Sequence, residues 1–119
     1  MSLRHGFVRA VRTATIADEA SLSGEVVCEG LTLAAIVVPA GWVAADITFV
    51  GSVDGTNFFN LHEAGSDTEV TVQAAASRYI ALDPTTYAGV QRLKVRSGTS
   101  AVPVAQTGGP LALQTVLID

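Results

Sequence analysis

The sequence predicts an all-β fold: an antiparallel β-sandwich, jelly-roll-like, with about eight to ten short strands. Three observations lead there. Short runs rich in β-branched residues recur along the chain and are punctuated by Gly, Pro, Asn and Asp. No window of helical length carries the apolar i, i+3, i+4 period. Hydrophobic residues make up 49% of the 119 positions and charged residues only 15%, a balance that favours a packed core over disorder.

The elements follow in order. Residues 7–16 alternate moderately and read as extended, and Asp18 to Ser21 reads as a turn. Glu25 to Cys28 is a short strand. Leu31 to Val38 is apolar and bounded by Gly30 and by Pro39-Ala40-Gly41. Ile47 to Val53 alternates, and Asp54-Gly55 then supplies the positive φ of a tight hairpin before Asn57 to His62. Glu69 to Val72 is another short strand. Val72 to Arg78 is the best helical candidate, but it is too short to stand alone and reads as a turn between strands. Tyr79 to Leu82 ends at Asp83-Pro84. Val90 to Ser97 alternates, with Arg92, Lys94 and Arg96 on one side and Leu93 and Val95 on the other. Leu111 to Ile118 follows Gly108-Gly109-Pro110.

The length suits one domain. Residues 13–119 form the sandwich, and residues 1–12 a basic N-terminal arm or first strand carrying Arg4, Arg9 and Arg12. A chain of 12.3 kDa folds to a surface of roughly 6,100 Å².

Composition excludes several function classes. The single cysteine removes a disulfide framework and a Cys-based zinc site. Seven Lys and Arg against eleven acidic residues, net charge -4, argue against a nucleic-acid groove. No apolar run reaches the ~18 residues of a membrane helix, and the first ten residues lack the apolar centre of a signal peptide. His5 and His62 have no ligand at metal spacing, so both read as strand or surface residues. Cys28 lies between Glu25 and Glu29 without a cation in the local sequence, so it reads as a small core side chain. Glu63, Asp67 and Glu69 read as a solvated acidic loop. The glycines of 51–55 and 108–109 read as turns, because no helix follows them and the Walker lysine is missing. The expectation is a protein without catalysis, cofactor or metal.

Contact residues are more legible. Trp42 lies in a loop, where it offers an interface anchor or a sugar platform. Phe58 and Phe59 are adjacent, so a strand sends one to the core and the other to solvent or a partner. Arg92, Lys94 and Arg96 form a stripe that is either solvated or docks an acidic surface. A mean hydropathy of +0.42 on so small a domain suits a surface partly covered by neighbours.

The order of motifs carries a resemblance. Thr15 to Ser23 (TIADEASLS), Pro39 to Trp42 (PAGW), the Asp-Gly hairpin from Ile47 to Leu61, Ala74 to Pro84 (AAASRYIALDP) and Leu93 to Thr99 (LKVRSGT) occur in that order. Together they resemble small virion proteins of tailed bacteriophages and phage-like gene transfer particles. The resemblance implies a β-sandwich structural subunit of the particle, located in the virion and made in the host cytoplasm. Decoration or cement of the head, or the base of a head fibre or spike, would be typical; a tail or baseplate position is the variant. The implied partners are other virion subunits, the major capsid protein first, and further copies of the chain, with a trimer as one arrangement. The alternative from a different class is a carbohydrate-binding module that stacks a host-surface glycan on Trp42 and on Phe58 or Phe59.

Overall fold

The computed structural model describes residues 9–119. Eight strands are present among them: β1 (Arg9–Ile16), β2 (Val26–Val27), β3 (Thr32–Val38), β4 (Ile47–Ser52), β5 (Phe59–Asn60), β6 (Arg78–Ala81), β7 (Arg92–Ser97) and β8 (Leu111–Ile118). A 3-10 turn, Pro84–Tyr87, lies between β6 and β7. Sheet I has the order β1-β8-β3-β6 and sheet II the order β2-β7-β4-β5. Every neighbouring pair is antiparallel. The pairing is nested: first strand with last, second with seventh, third with sixth, fourth with fifth. It is the topology of one long hairpin rolled so that its successive rungs fall in alternate sheets.

The core lies between the sheets. Alternation turns Ala14 and Ile16 of β1 and Leu113 and Leu117 of β8 inward, opposite Ile47 and Phe49 of β4 and Leu93 and Val95 of β7. Each such aliphatic or aromatic side chain, fully buried, contributes about 1.5–3 kcal/mol of transfer free energy. The apolar run of β3 needs a further device. Leu33 pairs with Leu117, and Ala35 with Val116, so Ala34 is an extra residue in the strand. This bulge allows Leu33 and Ile36, three positions apart, both to face the core, which unbroken alternation forbids. The carbonyl of Ala34 accepts from the Leu82 N–H at 2.9 Å.

The 3-10 turn plugs the sandwich on the side of the edge strands β5 and β6. Pro84 sits at its start, and the Asp83 side chain caps it by accepting from the Thr85 N–H. The turn delivers Tyr87, whose ring meets Phe49 edge-on at 5.1 Å between centroids. Burial pushes the Tyr87 phenol up to about 12. The other side is closed by residues 21–24. Ser23 donates its N–H to Val95 and accepts the Val95 N–H on its hydroxyl, while the Gly24 N–H reaches Thr15 of β1.

Two sequence expectations change. Glu69 to Val72 makes only isolated bridges, His62 with Glu69 and Ile47 with Val72. The Asp-Gly hairpin is longer than a two-residue turn, because Gly51 pairs with Phe59 and the loop spans Ser52 to Phe58. Val72 to Arg78 is the turn expected between strands, and its last residue, Arg78, opens β6. The chain exposes 6215 Å², close to the area expected from its mass.

Candidate interaction surface

The outer face of sheet II carries the basic stripe, and the chain itself covers it. Arg92, Lys94 and Arg96 point away from the core, opposite Ser52, Val50 and Thr48 of β4. Each finds a partner. Arg92 pairs with Glu25 at 3.1 Å, with both side chains about one-third exposed. Lys94 lies over the Phe58 ring at 4.6 Å from its centroid. Arg96 is buried: it pairs with Glu69 at 2.8 Å and donates to Thr48 Oγ1 and Asn60 Oδ1. Thr48 passes its own proton to the Gly98 carbonyl at 2.6 Å, and the second Glu69 oxygen accepts the Ser100 N–H. One ion pair thus ties together β4, β5, β7 and two loops.

The loop that drapes over this face is held by Asp54. Its carboxylate accepts from the Asn57 and Thr56 N–H groups, the Asn57 side chain and the Ser52 hydroxyl. These donors, the Asn57 backbone first, hold the Asp54 carboxyl well below the usual carboxylate range. Gly55 adopts φ +82 in the same turn, where a side chain would be strained.

The outer face of sheet I is different. Register sets its residues in rows across the strands: Val11, Val116, Ala35 and Ala81 in one, Thr13, Gln114, Val37 and Tyr79 in the next. Thr15 with Ala112 and Ile118 with Thr32 flank them, and Arg9, paired with Ile118 at one end, is the single charge among these positions. Ala35 and Val116 are nearly inaccessible yet stand outside the core cluster. At the margins Val11 is 46% and Tyr79 65% exposed. Among the described residues Arg9 is the one charge of this face, and the face is exposed at its margins and shielded at its centre.

An open hollow of about 450 Å³ lies at one end of the sandwich, between Glu29–Thr32, Val53 and Gly89–Gln91. Its lining holds one carboxylate and no cation. Cys28, next to it in sequence, is buried and donates weakly to the Val26 carbonyl. Burial pushes its thiol up, with Arg12 opposing, so this is a poor nucleophile. Among the described residues no group of three or more His, Cys, Asp or Glu side chains converges as a metal site, and no helix is long and apolar enough to cross a membrane.

The structure redistributes the sequence candidates. Trp42 is buried, with its indole N–H on the Ala45 carbonyl, and is neither exposed anchor nor sugar platform. Arg96 is likewise a network residue rather than open surface. Neither Phe58 nor Phe59 joins the core: Phe58 packs under Lys94, and Phe59 is 71% exposed on a sheet edge. Arg9 and Arg12 lie within β1, while Arg4 and His5 fall outside the described residues. His62 is exposed. Glu69, read as part of a solvated loop, is instead the counterion of Arg96.

Two features escaped the sequence reading. Gln106 is fully buried and its side chain clasps two segments: its amide exchanges two hydrogen bonds with the Val43 backbone and donates a third to Ser97 Oγ. No local pattern announces it. The outer face of sheet I did leave a signal, because residues 30–45 and 97–118 contain no charged side chain, and these runs become the two central strands of sheet I.

No protein-family model and no curated protein matches the sequence. The fold is similar to that of a solved structure, the SPBc2 prophage-derived protein YomS, with a TM-score of 0.54 and 13% identity over 94% of this chain and 96% of that one. At that identity the likeness concerns the fold, and it extends over nearly the whole of both chains.

Proposed function

We propose that this chain is a structural subunit of a tailed-phage or phage-like particle, a decoration or cement protein of the head or the base of a head fibre or spike, acting through protein–protein contacts and without catalysis. The observation that carries the reading is the outer face of sheet I, which holds one charged residue among those described, Arg9, and exposes Val11 and Tyr79 at its margins. A free domain gains nothing from leaving Val11 and Tyr79 in water at the margins of such a face, whereas an assembly subunit buries them. The nested strand order is compatible with a jelly roll, an architecture used by viral capsid and lectin domains. The fold likeness to a prophage-derived protein points the same way. In this role the subunit adds contact area to a shell and stabilises it by binding the assembled form.

The major capsid protein is the proposed neighbour, and the virion the place of action. The alternative, glycan binding, loses the Trp42 platform to burial and keeps Phe59 as its exposed ring. Mass spectrometry of purified particles tests the proposal. The expected result is the chain at a fixed ratio to the major capsid protein; its absence from washed particles rejects the reading.

A further inference from the structure

We propose that the free edge of β1 is a docking site for an extended, acidic segment of another protein, which adds as a fifth strand to sheet I. The inference concerns the edge of that sheet, not its outer face, and does not depend on the particle reading.

The backbone sets what the edge can bind. β1 is an edge of sheet I and, at eight residues, the longest of the four edge strands; β2 and β5 have two residues each and β6 four. Successive residues of a strand aim their N–H and C=O groups at opposite neighbours. The Arg12 carbonyl faces β8, where the Thr115 hydroxyl donates to it at 2.7 Å. The Thr15 carbonyl faces the other way and accepts the Gly24 N–H. Val11 and Thr13 share the direction of Thr15, so each aims an N–H and a C=O outward from the sheet. Among the described residues no partner meets these four groups, and both residues are exposed. Such an unpaired row is a template for a further strand. A segment of about five residues, ~17 Å long, spans them.

Charge then selects the occupant. Arg9 and Arg12 are exposed, and no carboxylate pairs with either among the described residues. Three positions apart, they stand on opposite faces of the strand. A second copy of β1 is disfavoured, because the antiparallel register that uses all four groups sets Arg12 directly against Arg12. A strand with one carboxylate opposite Arg12 and another three residues further, opposite Arg9, meets a cation on each face. A branched residue opposite Val11, which is 46% exposed, covers it.

Amide hydrogen exchange of the purified full chain, with and without the capped synthetic peptide Thr-Thr-Glu-Val-Thr-Glu-Thr at millimolar concentration, tests this. The peptide is expected to slow exchange at Val11 and Thr13 by about fivefold and to leave the Arg12 amide, already turned to β8, unchanged. The same peptide with Lys in place of both Glu binds at least about tenfold more weakly. Arg12→Glu reverses the preference between the two peptides. Thr13→Pro removes an outward donor without touching the β8 ladder, so it abolishes the protection of Val11; circular dichroism shows that both variants fold, and if Thr13→Pro does not, Arg12→Glu decides. Equal protection by both peptides, or none by the Glu peptide, overturns the inference. So do Val11 and Thr13 amides already protected without peptide, which would show the edge covered by residues 1–8 or by a second copy. Mass spectrometry of particles reads the particle proposal separately, so neither result decides the other.

Discussion

The two outer faces of the sandwich solve the same problem in opposite ways. Each sheet buries one side in a shared core and must do something with the other. Sheet II places three cations outward and covers them from within the chain: Glu25 on Arg92, Phe58 under Lys94, Glu69 on Arg96. Sheet I places mostly Val, Ala and Thr outward, shields Ala35 and Val116 at the centre, and leaves Val11 and Tyr79 exposed at the margins. Charge on a sheet surface is therefore a poor guide to which side chains remain unpartnered. Here each cation of the charged side has a partner within the chain, although Arg92 Nε is buried without one, and the other side carries Arg9 alone among the described residues. A surface cation that already holds a carboxylate has little left to offer a neighbour, and separating such a pair costs what docking would return.

Breaking the covered face should have the largest effect. Arg96→Ala leaves Glu69 as a carboxylate without its cation, and both side chains are only 11% exposed. A loss of about 2–3 kcal/mol is expected, which lowers the unfolding midpoint by roughly 8–12 °C for a domain of this size. A midpoint within about 2 °C of wild type would mean that the network sets loop position and adds no stability.

The Asp54 turn sharpens the same point through pH. Its donors depress the folded-state pKa, so the contribution is complete above the unfolded value near 3.8 and is lost as pH falls toward the lower folded value. Asp54→Ala is therefore less stable than wild type at neutral pH, by less than Arg96→Ala. The gap closes progressively as the solution is acidified below the ordinary carboxylate range. Denaturant melts at several pH values measure it, and a gap independent of pH would assign the effect to the loop backbone instead.

The outer face of sheet I should give the smallest effect on folding. Ala112→Lys, measured where the chain is monomeric, should change stability by no more than about 0.5 kcal/mol. Adding a charge to sheet I then costs far less than removing one from sheet II, which inverts the usual expectation for charged and apolar surfaces. A large loss would show that the face is already packed against part of the chain.

Much of this was legible in the residues. Alternation with Gly, Pro and Asp punctuation located every strand, because a half-buried sheet needs period two and its turns need those residues. The bulge at Ala34 was not legible, since an apolar run reads the same with or without an extra residue. The Pro84 turn was read as a strand end, although Asp83-Pro84 is also a cap followed by a first helical position.

The candidate surface divides along the same line. Sequence by itself determined the sandwich, the single cysteine as a core side chain, the one-sided basic stripe and the two uncharged runs, all of which depend on local order. Tertiary structure alone decided that Glu69 would meet Arg96, twenty-seven positions away, that Gln106 would clasp Val43, and that the uncharged runs would lie side by side as β3 and β8. The physical reason is that pairing partners and the far side of a sheet are set by how the rolled hairpin closes, and closure brings together residues whose nearness no local pattern encodes.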